Sequence, residues 1–520
     1  MRSRAAFLTS MDMRVGKTPT ALKAIEGELD DHVSDLAVVL YPASVQGEWE
    51  RQAKEWVGIP FITLEGLKSG PSPVPPSGPY ILGCHYEILR DWVLAPGSTE
   101  DKPIPGPIFH YLCGSTDLQT RPREFVLVLD EVQRVQNRKS GFYRAAKFLA
   151  ERATARWGLT GTPMRNRSKN MYAIFDTLLP KSMSKSYWTY AKRFCGAHIG
   201  DDGYWTDDED TNSEELAARL KSISYRRTRA DVASDLPKSD RSVILCDLPA
   251  KDMKRYEAVE AKFGKEIAKA LEDPEGAGIG KHIVKELVAA TTAAKIPTLV
   301  SRVEHYVEAG HKIVVFAHLH ETTDRIIEAL AGAGLKIFQI DGRVDKAERV
   351  NRVAEWRGID GAAVLVAGTL AAGVGIDLSD AEAALFVELE WVPADFRQAE
   401  DRIVDVHQGK RSSPPLYEYI IARGTIDEGM IHALLSKVRS IEAVVGADNE
   451  MSSMKRTLGS AQGKSIQIDG NSDEDTIREA LADVRRRMLG LAESDGSSIV
   501  GAVASHDWDD QNSDQAEDEP

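Results

Sequence analysis

The chain has 520 residues, 42% of them hydrophobic and 28% charged, with a net charge of −15. That length exceeds a single core and implies about three or four units of ~100–200 residues, with the composition of a soluble globular protein. An acidic balance excludes a broadly basic surface, so any nucleic acid has to be met by a local groove.

Seven of the acids fall in residues 505–520, which hold no Lys or Arg, and leaving them out still gives −8. No apolar run reaches the ~18–20 residues of a membrane span, and no signal-peptide core opens the chain, so no membrane partner is expected. Cys84, Cys113, Cys195 and Cys246 are scattered without CxxC spacing. They argue against a zinc site or a disulfide framework and fit a reducing cytoplasm.

In chain order, Ala5–Leu8 is a short apolar run and Ala21, Leu22, Ala24 and Ile25 follow with helical spacing. Leu36–Leu40 is a continuous apolar run of the kind a doubly covered parallel strand shows. Pro42-Ala43-Ser44 opens a helix with Trp49 and Trp56 on one face, and both tryptophans, with Trp157, read as core. Residues 66–79 are a Pro/Gly/Ser-rich loop, Tyr80–Gly83 is the next strand, and about 95–123 reads as an insertion. Phe125–Leu129 and Trp157–Thr160 complete a first α/β pattern. From about 165 to 300 the pattern is mostly helical. Strands return at His311–Phe316, Lys336–Ile340, Ala363–Val366 and Ala384–Val387. Strands alternating with helices predict parallel sheets with ligands at the carboxyl ends of the strands. The expected divisions are 1–165, 166–299, 300–445 and 446–520, the last a charged helix near 470–490 followed by a disordered acidic tail.

Between the first strand and helix lies Met11-Asp12-Met13-Arg14-Val15-Gly16-Lys17-Thr18. A strand, a loop ending in Gly-Lys-Thr and a helix form the setting of a phosphate-binding P-loop. Gly16 lets the backbone close on phosphates, helix-start amides point at anionic oxygen, Lys17 reaches the β- and γ-phosphates, and Thr18 offers a hydroxyl to Mg²⁺. A bare Gly-Lys-Thr also recurs by chance, and Met11 stands where the general motif has Gly. This stretch alone therefore leaves nucleotide binding beside the blander reading of a helix start that carries a lysine. Asp130-Glu131, where the Phe125–Leu129 run stops, is the Walker B arrangement: one carboxylate for Mg²⁺, the next to orient or deprotonate water.

At this point the residues resemble a family. Asp130-Glu131-Val132-Gln133-Arg134-Val135-Gln136-Asn137 resembles the DEAHRIKN form of motif II in Swi/Snf-type translocases of helicase superfamily 2. Met13–Thr18 is similar to their MGLGKT, Leu159–Asn166 to motif III, LTGTPIQN, and Tyr41–Trp49 to motif Ia. Tyr225-Arg226-Arg227-Thr228-Arg229-Ala230-Asp231-Val232 resembles the RRTKADV peculiar to that group. Gly368–Leu378 resembles motif V, Gln398-Ala399-Glu400-Asp401-Arg402 opens motif VI, and Gly424–Glu428 matches GTIDE. The resemblance covers roughly residues 5–440.

The resemblance implies two RecA-like lobes of the P-loop NTPase class, with a helical protrusion region between them and ATP in the cleft. Arg14, Val15, Gly16, Lys17 and Thr18 would hold ATP, and Thr18 with Asp130 would hold Mg²⁺. Glu131, Gln398 and Arg402 would be catalytic, with Arg402 facing Gly16-Lys17-Thr18 across the cleft. Ser44, Thr369 and Gly373 would contact phosphates of DNA, double-stranded and without sequence preference. Gln133, Thr160, Gly161 and Thr162 would couple the two activities. The implied function is an ATP-dependent translocase that remodels or anneals DNA. A strand-separating helicase and a catalytically weak nucleic-acid clamp are the alternatives.

Four departures stand out. Asp405 occupies the place of motif VI's second arginine, where an acid opposite a γ-phosphate would repel. Gln133 replaces a histidine. The chain begins about sixteen residues before Lys17, so the start is truncated or another polypeptide completes the adenine site. The acidic tail reads as solubilising, set against a protein-partner segment. Among the smaller signals, His318 and His320 read as strand-end histidines. Arg226, Arg227 and Arg229 read as a phosphate patch or as a salt-bridged helix face.

Overall fold

The computed structural model describes residues 5–459 apart from 14, 32, 69–73, 100–101, 114–122, 181–185, 200–204, 208, 233–239, 260–261, 263–280, 333, 370–375, 391, 405–414 and 447–448. The expected helix at 470–490 and the acidic tail lie outside the described residues. The chain divides into two compact units, one of residues 1–198, 209–236 and 440–448, the other of 199–208, 237–439 and 449–520.

A two-stranded ribbon, β7 (His198–Ile199) with β8 (Trp205–Thr206), belongs to neither larger sheet. The strands of the first unit are β1 (Ala6–Met11), β2 (Leu36–Tyr41), β3 (Phe61–Thr63), β4 (Tyr80–His85), β5 (Phe125–Asp130), β6 (Ala155–Thr160) and β9 (Ser224–Arg227). They form one sheet in the order β3-β4-β2-β5-β6-β1-β9. Every pairing in it is parallel. All six residues of β2 and of β5 are buried, as their unbroken apolar runs require when helices cover both faces. Full burial of each Leu or Val there contributes about 1.5–3 kcal/mol. Helices α1 (Lys17–Asp30), α2 (Gln46–Trp56), α3 (Tyr86–Val93), α4 (Phe109–Cys113), α5 (Gly141–Ala150), α6 (Met171–Leu178), α7 (Tyr187–Phe194), α8 (Ser213–Ile223) and α9 (Arg229–Val232) complete the unit. Close approach of β3 to the sheet demands Gly83 on β4, since a Cβ there would sit 2.5 Å from the Phe61 ring.

Two readings of this region are corrected. Trp49 is 1% exposed and Trp157 is fully buried, but Trp56 is 46% exposed. Trp56 is the last residue of α2, and Ala53 with Val57 covers the sheet there instead. Arg226 and Arg227 share no helix with Arg229; they lie on the edge strand β9, paired with β1. Arg226 Nη1 donates to the carbonyls of Val445 at 2.7 Å and Gly446 at 2.8 Å.

The second unit holds β10 (Asp240–Cys246), β11 (Lys312–Ala317), β12 (Ile337–Ile340), β13 (Ala363–Gly368), β14 (Ala383–Phe386) and β15 (Leu416–Ala422). This sheet runs β10-β15-β14-β11-β13-β12, again all parallel. Its helices are α10 (Lys281–Glu308), α11 (His320–Gly332), α12 (Lys346–Gly358), α13 (Pro393–Glu400), α14 (Ile426–Val445), whose last turn belongs to the first unit, and α15 (Asn449–Gly459). Fully buried Lys295 on α10 pairs with Asp427 at 2.5 Å and donates to the Val387 carbonyl at 2.8 Å. Stretch 166–299, read as mostly helical, thus also supplies an edge strand to each sheet, β9 and β10. Among the described residues no helix is long and apolar enough to cross a membrane.

Candidate active site

The first unit gathers its polar residues at the carboxyl ends of β1, β5 and β6. Gly16 caps α1 with φ 94° and ψ 31°, the left-handed region. Nothing lies within 4 Å of its missing Cβ, so backbone conformation and not space requires glycine there. Pro19 sits in the first turn of α1, where its missing N–H leaves no helical bond unmade. Lys17 Nζ donates to the carbonyls of Met11 at 2.9 Å and Asp12 at 3.1 Å, neutral acceptors that a phosphate oxygen outcompetes. Motif III lies alongside: a Cβ on Gly161 would be 3.7 Å from Lys17 Nζ.

Asp130 ends β5 and is buried. Its Oδ2 accepts the Trp49 indole N–H at 2.9 Å, and its Oδ1 accepts the Glu131 amide at 3.0 Å. The Tyr86 hydroxyl donates to the Asp130 carbonyl at 2.9 Å. Burial, then the neighbouring Glu131 charge, pushes the Asp130 carboxyl up to about 6, against the lowering effects of the Trp49 bond and the Lys17 cation. Glu131 itself is left-handed, φ 51° and ψ 55°. A non-glycine residue pays roughly 1–3 kcal/mol for such a conformation, which holds the chain in a sharp turn after β5.

From Glu131 a side-chain relay runs to motif III. Gln133 Nε2 donates to Glu131 Oε2, Thr160 Oγ1 donates to Gln133 Oε1 at 2.7 Å, and the Thr162 amide donates to Thr160 Oγ1 at 2.9 Å. Glutamine in place of histidine therefore serves both neighbours, accepting with its oxygen and donating with its nitrogen. Val15 and Thr18 flank Lys17 and are half-buried, while Ser44 is exposed in the turn after β2. Arg14, Gly373 and Asp405 lie outside the described residues.

In the second unit Arg402 follows α13 directly and is buried, and Gln398 on α13 is half-buried. The Leu378 amide donates to the Arg402 carbonyl at 3.0 Å. Thr369 is buried, and its hydroxyl donates to the Ala317 carbonyl at 3.2 Å, which fixes the residue just after β13. His318 Nδ1 lies 2.9 Å from Glu390 Oε1, and that carboxylate raises the imidazole to about 9 in spite of burial.

Sequence reasoning did not find several of the contributors. Trp49 was read as core alone, without its N–H. Tyr86 carried no motif. Asp12 accepts the Arg229 amide at 2.9 Å and so ties the Arg226–Arg229 stretch beside the P-loop.

With this geometry in place, the comparisons with known proteins decide the family. The SNF2-related domain family model matches residues 4–296, more than half of the chain, and the helicase conserved C-terminal domain matches residues 294–406. The chain belongs to the SNF2-related family. The SWI/SNF-related matrix-associated actin-dependent regulator of chromatin subfamily A-like protein 1 of Xenopus tropicalis is 28% identical over 330 residues, 63% of this chain and 34% of that protein. The human DNA annealing helicase and endonuclease ZRANB3 is 28% identical over 309 residues, 58% of this chain and 28% of that protein. The chain thus spans about a third of the length of these relatives. A solved Sulfolobus solfataricus SWI2/SNF2 ATPase core in complex with dsDNA is 19% identical with a TM-score of 0.37, the match covering 89% of this chain and 93% of that one.

Proposed function

We propose that this SNF2-related chain is an ATP-driven motor that moves along double-stranded DNA and remodels or anneals it. The observation that carries the reading is the cluster of Lys17, buried Asp130 and strained Glu131 at the carboxyl-end side of β1 and β5. ATP would lie with its phosphates on the Gly16 turn and the first amides of α1, where the helix dipole favours anions. Lys17 would exchange its two carbonyl partners for phosphate oxygens.

The donor set fits Mg²⁺: the Thr18 hydroxyl and a desolvated Asp130 carboxylate are hard oxygens, and burial disfavours that carboxylate until a cation faces it. When bound, the ion neutralises phosphate charge. Asp130 is kept in one orientation by Trp49 and the Glu131 amide, so it meets the ion without rearranging. Glu131, in reach of Gln133, would orient or deprotonate the attacking water, and the relay to Thr162 would report the state of that water to motif III. Arg402, assisted by Gln398, would stabilise the charge developing on the γ-phosphate. Exposed Ser44, together with Thr369 and Gly373, would track DNA phosphates, which carry no sequence information. The name of the human relative, a DNA annealing helicase, favours remodelling over strand separation.

The deciding measurement is ATP hydrolysis with and without duplex DNA, for the native chain and Lys17→Ala. We expect turnover that duplex DNA stimulates and that Lys17→Ala abolishes. Equal, DNA-independent turnover in both proteins would leave the clamp reading standing.

A further inference from the structure

We infer that Arg241 is a positioning residue for ATP hydrolysis, acting through Glu400 to hold the turn that carries Arg402; the inference rests on the proposed role of Arg402. Arg241 lies on β10, an edge strand far from motif VI in sequence. Its Nε donates to Glu400 Oε1 at 2.9 Å and its Nη2 to Glu400 Oε2 at 2.6 Å, and both side chains are 1% exposed. The Tyr419 hydroxyl donates to Glu400 Oε1 as well, and the Tyr417 hydroxyl donates to the Glu400 carbonyl at 2.9 Å. The guanidinium stands 5.2 Å from the centroid of the Tyr417 ring. Glu400 is thus gripped at its carboxylate and at its backbone.

Glu400 ends α13, two residues before Arg402. Beyond it the chain turns tightly: the Asp401 amide donates to the Arg397 carbonyl, Arg402 to Ala399, and Ile403 to Glu400. The Leu378 amide then holds the Arg402 carbonyl from the other side. The residue proposed to meet the γ-phosphate therefore sits on a turn pinned at both ends.

Stability alone gives no reason for this ion pair. Burying two charges costs desolvation that their attraction only about repays, and apolar groups of similar volume usually serve a core as well. What the pair adds is direction. A planar guanidinium meeting a carboxylate through two parallel bonds fixes both the place and the rotation of the helix end. A misplacement near 1 Å of a group that acts on the transition state costs about 10²-fold in rate.

The test uses the full chain in the DNA-stimulated ATPase assay, with kcat, KM for ATP, DNA affinity and Tm measured for each variant. The doubly apolar variant Arg241→Met with Glu400→Leu, made together with Tyr419→Phe so that no buried hydroxyl loses its acceptor, keeps the volume and removes both charges. It should keep its Tm, its KM and its DNA affinity while kcat falls by about 10²-fold. Arg241→Lys keeps the charge without the two-pronged geometry and should lose about tenfold in kcat at a near-native Tm. Should the doubly apolar variant fail to fold, Arg241→Lys carries the test alone. Adding Arg241→Lys to Arg402→Ala should lower kcat no further, since residues acting through one group are not additive.

Native kcat in Arg241→Lys, or in a doubly apolar variant of native Tm, overturns the inference. A further kcat loss from Arg241→Lys in the Arg402→Ala background overturns it too, because Arg241 would then act elsewhere. These outcomes are distinct from failure of the motor reading, which shows as Lys17→Ala hydrolysing ATP like the native chain.

Discussion

The two units hold their candidate functional residues by opposite electrostatic means. In the first, Asp130 is oriented by neutral donors: an indole N–H and a backbone amide on the carboxylate, and a tyrosine hydroxyl on the carbonyl. In the second, the turn bearing Arg402 is oriented by a buried ion pair, Arg241 with Glu400. Neutral donors fix direction without cancelling charge, which suits the proposed role of Asp130 in facing a cation. A salt bridge cancels its own charge, so Arg241 and Glu400 steady the neighbouring turn without competing with Arg402 for a phosphate. A group that must present charge is held by dipoles, and a group that must only be in place is held by paired charges.

The largest test of that contrast removes the presented charges themselves. Arg402→Ala should lower DNA-stimulated ATP turnover by ~10³-fold or more, as loss of an arginine facing a γ-phosphate does. Asp130→Asn should be as severe, and steady-state ATPase assays check both. Native turnover in Arg402→Ala would shift the role to another basic residue of the second unit.

The pair His318–Glu390 gives a stability test of the second unit's use of paired charge. The folded imidazole is raised from 6.5 to about 9, chiefly by Glu390, so protonated His318 stabilises the fold. That contribution is fully present below pH 6.5 and is lost as pH rises through 9, a change on the order of 3 kcal/mol. Thermal unfolding from pH 6 to 9.5 should show the decline in the native chain and a flatter profile in His318→Asn. An unchanged slope in the variant would remove this pair from the account.

A smaller effect is expected where a neutral donor is deleted. Trp49→Phe keeps most of the buried ring and removes the N–H on Asp130. We expect the Mg²⁺ concentration for half-maximal turnover to rise about 10–100-fold, as when an outer-shell partner of a metal ligand is lost. DNA affinity should stay native, and an unaltered Mg²⁺ requirement would show that Trp49 serves packing alone.

The smallest effect concerns Glu131. Glu131→Gly relieves a left-handed non-glycine residue and should raise stability by about 1 kcal/mol in chemical denaturation, while ATP turnover is lost. Lowered stability would mean that the bond to Gln133 outweighs the strain.

Much of this protein was legible in the chain itself. Runs such as Leu36–Leu40 and Phe125–Leu129 announced strands buried on both faces, because burial and strand propensity act on the same consecutive residues. Asp130-Glu131 at the end of such a run, and Gly16-Lys17-Thr18 before a helix, were legible as candidates for the chemistry, because strand ends and helix starts are local features. Edge strands β9 and β10 were not legible; Ser224–Arg227 has no apolar run, and in Asp240–Cys246 the apolar Val243–Cys246 follows a polar start and stays half solvated up to Leu245. Trp56 misled for a related reason, since periodicity assigns a face but not where the sheet beneath it stops.

What the tertiary structure alone decided are the partners. Trp49 meets Asp130 from 81 positions away, and Arg241 meets Glu400 across 159. A hydrogen bond needs its two atoms within about 3 Å, and no local pattern encodes which distant side chain the fold will bring there. The chain's sequence determined which residues are candidates for the chemistry, through motifs a few residues long. Folding decided which neighbours orient them, because orientation depends on the packing of elements that the sequence keeps far apart.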